Sequence, residues 1–257
     1  MLDIFLFERI LRNREQFYRD IREKGVLGVI AKSIILIAIF GVLYGATMGV
    51  WSWEIQQIIF SAIKVPLLFL ISISVVLPSY YVVNLAMGGR SSFSQLAALY
   101  FSSFSISTTV LLAFVPVNLF FIITSPRDSD SYYFMVFLNL IIYGIGGLIS
   151  IVFMIEGALF LNQHENSVTT LRDLIAVAVS LGILAFIGTQ LAWFIRPWFN
   201  YEPNFIRPDI TGNFYTEIAK FAFSRLYFGS GFFIIVALVA FPFLVWIIRK
   251  LHTIPLK

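Results

Sequence analysis

The chain has 257 residues, 59% of them apolar and only 12% charged, with 28 Phe and a mean hydropathy of +0.89. A soluble domain carries about 25% charged residues; half that supply would leave large apolar patches facing water. A soluble enzyme, a disordered chain and a nucleic-acid-binding domain are therefore excluded, and an all-α polytopic membrane helix bundle is expected.

The net charge of +4 suits cytoplasmic loops and anionic headgroups. The absence of Cys excludes disulfides and thiolate metal sites. His164 and His252 are too few and too scattered for a haem or zinc cluster, so no cofactor and no metal are expected.

Residues 2–24 place Leu2, Phe5, Leu6, Ile10, Phe17 and Ile21 near one helical face and most charges elsewhere. This predicts an N-terminal amphipathic interfacial helix over 1–26, its apolar side in the inner leaflet. Docking on the protein's own cytoplasmic loops is the alternative. The same stretch lacks an uninterrupted apolar core and does not read as a cleavable signal peptide.

Residues 27–257 are expected to form one six-helix transmembrane domain. The first span, about 33–50, carries Gly41, Gly45 and Gly49 four apart, a small-residue stripe for helix packing. Packing within the chain is the default for it, and a partner helix the alternative. Trp51 and Trp53 follow as an interfacial pair. The second span, about 65–87, has Pro66 in its first turn and Pro78 inside it. Ser92 and Gln95 then form a capping box before a third span of about 96–124 containing Pro116.

A polar turn at 125–130 leads to the fourth span, about 133–161, in which Gly144 and Gly147 are read as packing residues. Glu156 is the one carboxylate deep in an apolar run. It is either a proton or cation site, or a near-interface carboxylate paired with an Arg of a neighbouring helix. Thr170–Asp173 signals the start of the fifth span, about 173–195. Its outer end gathers Gln190, Trp193, Arg196 and Trp198. Gln190 can bond across helices and Arg196 can grip a phosphate or carboxylate. The group is thus a lipid or ligand site, or an interfacial anchor. Asn84, Asn118 and Asn139 add polar atoms whose convergence the sequence does not reveal. A long outer loop, 196–226, with a short surface helix from Asn213 to Phe228, precedes the sixth span, about 227–248.

With six spans and the N-terminus inside, twelve Lys and Arg fall on the cytoplasmic side and six on the other, which favours both termini in the cytoplasm.

The segments Lys64–Phe69, Leu77–Tyr80, Asn84–Gly88 and Ser91–Gln95 together resemble bacterial proteins of the Yip1-like superfamily. Gln190–Trp198 is similar to a stretch of uncharacterised six-span bacterial relatives of that group. The resemblance covers about 60–200 and departs from the usual five-span arrangement by the sixth helix. It implies a scaffold or trafficking-type membrane protein with no catalytic residues. A surface helix, six spans and an excursion before the last span also resemble the permease subunit of an ABC-2-like exporter. That subunit would need a separate ATPase, because no phosphate-binding Gly-rich loop occurs here.

The expected function is a non-enzymatic integral membrane subunit or scaffold in the bacterial cytoplasmic (inner) membrane. Its expected partners are the lipid bilayer and other membrane protein subunits. The alternative is a transporter or exporter permease. An intramembrane enzyme ranks last, since no nucleophile has a base beside it.

Overall fold

The computed structural model describes residues 12–23, 25–162, 171–195, 205–206 and 212–216. Apart from short turns and bends these residues form helices, with no strand among them. In chain order the helices are α1 (Arg14–Glu23), α2 (Leu27–Gly49), α3 (Ile55–Ala86), α4 (Phe93–Ala113), α5 (Val115–Thr124), α6 (Ser129–Asn162) and α7 (Leu171–Ile195). Five of the stretches they form are long and apolar enough to cross a membrane: Leu27–Ser52, Ile55–Ala86, Phe93–Ala113, Ser129–Asn162 and Arg172–Ile195. They mark the chain as an integral membrane protein. The expected sixth span, 227–248, lies outside the described residues.

Two spans are much longer than a bilayer requires. At a rise of about 1.5 Å per residue, the 32 residues of α3 and 34 of α6 each reach about 50 Å, against a hydrocarbon core of about 30 Å. Their ends therefore project or tilt. This changes one expectation. The second span begins at Ile55, so Pro66 lies about three turns inside α3 and not in its first turn. Its missing N–H leaves the Ala62 carbonyl without its usual helical donor.

The third span is also not continuous. Pro116 has no N–H and its ring clashes with a carbonyl one turn back. The helix accordingly stops at Ala113 and restarts at Val115, with Pro116 in the first turn of α5. What the sequence suggests as one span of 96–124 is a crossing helix, α4, followed by a ten-residue helix, α5.

Local signals explain the other boundaries. Gln95 N–H donates to Ser92 Oγ at 3.3 Å, while Ser92 N–H donates to Gln95 Oε1 at 2.8 Å. This reciprocal pair starts α4. Asp128 Oδ1 accepts the Ser131 N–H at 2.8 Å and starts α6. Trp53 takes a left-handed φ of 58° in the turn between α2 and α3, which lets the chain reverse within a few residues.

In the bundle α2 packs on α3 and α4, α4 packs on α6, and α3 packs on α7. Helix α1 lies across α4 and α6 at one end, called here the α1 end. The α2–α3 turn and the α5–α6 turn meet at the other.

Candidate functional site

The glycine stripe of α2 forms a tight seam with α3. A Cβ on Gly45 would stand 2.3 Å from the Ser61 carbonyl oxygen, and one on Gly49 2.4 Å from Ile58 Cα. One on Gly41 would be 3.1 Å from Pro66 Cβ. Gly45 and Gly49 therefore accept glycine alone, Gly41 would take a Cβ only if Pro66 gave way, and the stripe is consumed by α3 of the same chain. Gly144 and Gly147 behave differently. A Cβ on either would meet nothing within 4 Å, so the expectation that they pack a neighbouring helix is corrected.

A second feature is a buried polar ring between α2, α5 and α6. Tyr44 Oη donates to Asn139 Oδ1 at 2.6 Å, and Asn139 Nδ2 donates to Asn118 Oδ1 at 3.0 Å. Asn118 Nδ2 donates to Thr47 Oγ1 at 3.2 Å, and Thr47 Oγ1 donates to the Tyr44 carbonyl at 2.7 Å. The circuit closes on itself. Tyr44, Asn118 and Asn139 are fully buried, and in a lipid-facing protein such groups need partners within the bundle. Asn118 and Asn139 thus converge, and Asn84 does not join them. Asn84 Oδ1 instead accepts from Asn162 Nδ2 at 2.8 Å, and Asn162 Oδ1 accepts from Ser91 Oγ at 2.8 Å. This shorter chain ties the end of α6 to the α3–α4 turn.

The third feature is the seat of α1. Its described apolar residues Phe17, Tyr18 and Ile21 are buried in protein, so this part of the N-terminal segment places its apolar side against the bundle and not in an acyl layer. Residues 2–11 lie outside the described residues. Tyr18 Oη donates to the Phe153 carbonyl at 3.0 Å, and its ring lies 5.1 Å from that of Phe153. Gly157 makes the room: a Cβ there would be 2.8 Å from Tyr18 Cε1 and 2.3 Å from Leu99 Cδ1. Glu156, one residue earlier, accepts from Arg14 Nη1 at 3.1 Å. Burial, and then the Glu156 carboxylate, push the Tyr18 phenol well above its ordinary range, which keeps it a neutral donor. Gln95 Nε2 donates to the Arg22 carbonyl at 3.1 Å, so the residue that caps α4 also holds the end of α1. Arg22 lies over the Phe160 ring at 5.6 Å, a cation–π contact.

At the opposite end Arg127 lies 4.4 Å over the Trp51 ring and 5.5 Å over that of Trp53. Its Nη1 donates to the Trp51 carbonyl and its Nη2 to the Ile122 carbonyl. The tryptophan pair read as an interfacial anchor is thus also a clamp on the α5–α6 turn.

Among the remaining candidates, Gln190 is half-buried and Trp193 buried on α7, three residues apart and so on one helix face. Arg196 and Trp198 lie outside the described residues. Glu156 and Gln190 each lie near the C-terminal end of consecutive crossing helices, so they fall toward opposite sides of the bundle and form no common site. Among the described residues there is no group of three or more His, Cys, Asp or Glu able to hold a metal ion.

Reading the sequence alone missed Tyr18, Gly157, Tyr44 and Arg127. A Gly directly after Glu156 was the available signal for the first pair. The two tryptophans and the Arg of the 125–130 turn were the signal for the last. No protein-family model, no curated protein and no solved structure matches this chain.

Proposed function

We propose that the chain is a non-enzymatic integral membrane subunit or scaffold that packs with partner membrane proteins or lipids. It has six spans, with 227–248 as the last, and sits in a bacterial cytoplasmic membrane with both termini inside. The twofold excess of Lys and Arg on the α1 side under that topology supports the orientation. The resemblance of 60–200 to the Yip1-like superfamily supports the class.

The observation that carries the proposal is the closed ring of Tyr44, Asn139, Asn118 and Thr47. These buried polar groups bond to one another across three helices, which is the use expected of residues that hold a bundle together. Glu156 supports the same reading, because its carboxylate is engaged by Arg14.

The alternative is a transporter, as the permease subunit of an ABC-2-like exporter working with a separate ATPase. The position of α1 across one end of the bundle supports it, since a helix laid across that end matches the surface helix of such a subunit. Affinity purification from native membranes in mild detergent decides between them. A co-migrating integral membrane protein at fixed stoichiometry supports the scaffold, and a co-migrating ATPase supports the exporter. A chain recovered monomeric and alone refutes both forms of assembly.

A further inference from the structure

We propose that the cavity between α3, α4, α6 and α7 is a binding site for one acyl chain of a bilayer lipid. The cavity measures about 300 Å³ and is walled by Ser72 of α3, Phe104 of α4, Gly144 and Gly147 of α6, and Gly188 of α7. That volume is at the lower end of those of built ligand sites. Ser72 lies midway along α3, and Gly144 and Gly147 midway along α6. The walls therefore stand at hydrocarbon depth, and the inference rests on these helices spanning the membrane.

The glycines separate this void from ordinary loose packing. In the α2–α3 seam every glycine has backbone or side chain pressed against it, whereas Gly144 and Gly147 have no atom within 4 Å of an added Cβ. Gly188 has one, Ser72 Oγ at 4.0 Å. Two adjacent helices thus give up side-chain volume at one place, and among the described residues no atom moves in to use it. Empty apolar space forfeits dispersion contacts on all its walls, so an occupant is favoured.

The opening and the chemistry identify the occupant. Gly144 is exposed although it lies at mid-helix, so the void communicates sideways with the surroundings of the bundle. Among the described residues nothing closes that side, and at that depth the medium around a membrane-spanning bundle is lipid tails. The wall hydroxyls of Ser103 and Ser150 donate to the backbone carbonyls of Leu99, Ser103 and Gly146. Thr189 spends its hydroxyl on Ala185 in the same way. With those donors engaged, the lining is apolar and suits a thin flexible hydrocarbon. A polar headgroup would enter without partners for its hydrogen-bonding groups.

The test uses the full chain in vesicles of phosphatidylethanolamine and phosphatidylglycerol, doped with a phospholipid carrying a diazirine midway along one tail. After photolysis the labelled residues are read by peptide mass spectrometry. Buried Met154 and Ser72 on the cavity wall should be labelled, together with the exposed Val82 and Phe120 that any surrounding lipid reaches. Gly147→Leu fills the void, and Gly144→Leu does so independently. Both should abolish the label at Met154 and Ser72 and leave it at Val82 and Phe120. Gly182→Leu, in open space away from the cavity wall, should change neither. Label confined to Val82 and Phe120 in the unmodified chain, or label at Met154 that persists in both filled variants, overturns the acyl site alone. Loss of every label, Val82 and Phe120 included, overturns the membrane-spanning reading beneath it.

Discussion

Arg14 Nη1 stands 3.1 Å from the Glu156 carboxylate, across a sequence separation of 142 residues, and so fastens α1 to the far end of α6. The pair is partly open, with Arg14 39% and Glu156 17% exposed, and solvent screens it. Glu156→Gln is therefore expected to cost about 0.2–1 kcal/mol, read as a small fall in the thermal midpoint in detergent. Exchanging the charges, Arg14→Glu with Glu156→Arg, should recover most of that loss. Recovery would show that the pair acts on stability through its mutual attraction.

Packing holds α1 more firmly than charge does. Tyr18→Ala removes a buried ring together with its bond to the Phe153 carbonyl, and large-to-Ala changes of this kind cost about 3–5 kcal/mol. Gly157→Leu drives a side chain into the space that Tyr18 and Leu99 occupy. Both variants should release α1, measured as faster trypsin cleavage at Arg19 and Arg22 in the otherwise intact bundle. Unchanged cleavage would contradict the seat described for α1.

The polar ring is expected to respond as a unit. Asn139→Leu removes the acceptor of Tyr44 and the donor to Asn118 at one stroke. Interhelical hydrogen bonds in membranes are worth about 0.6 kcal/mol on average and up to about 1.7, so a loss of about 1–3 kcal/mol is expected. Unfolding in graded detergent mixtures measures it. A double-mutant cycle with Tyr44→Phe should be non-additive, since one bond is counted twice.

Glycines at two seams should give opposite results. Gly45→Ala pushes a Cβ into the Ser61 carbonyl, and overpacking of this kind costs about 1–3 kcal/mol. Gly147→Ala meets open space and gains helix propensity, worth up to about 1 kcal/mol. Thermal midpoints of the two variants should therefore move in opposite directions.

At the start of α6 the Ser131 N–H holds the exposed Asp128 carboxyl below its ordinary value. A lowered carboxyl stabilises the folded state fully above its unfolded value of about 3.9. That contribution is lost as pH falls through the lowered value. Hydrogen exchange in the first turn of α6, corrected for intrinsic rate, should accelerate over that acid range. Asp128→Asn keeps the cap without the charge and should remove the pH dependence.

The crossing segments were legible because about 20 apolar residues in a row have few other uses, and the fifth span, 173–195, agrees closely with α7. The capping box at Ser92 was legible for the same local reason. Pro116 was visible, but whether a proline bends or breaks a helix depends on what surrounds it, as the unbroken passage of α3 through Pro66 and Pro78 shows. The stripe Gly41–Gly49 announced a close approach without naming α3 as the partner. Convergence of Asn118 and Asn139 with Tyr44, and the fit of Tyr18 beside Gly157, join residues far apart in sequence. Only the folded bundle brings them together.

Native mass spectrometry of the chain, released from its own membrane in mild detergent, tests the scaffold reading most directly. The account predicts a complex that exceeds the 29.2 kDa of the single chain by the mass of a second integral membrane subunit or of retained phospholipid. A bare 29.2 kDa species, found at every detergent concentration that keeps the helices folded, would contradict it.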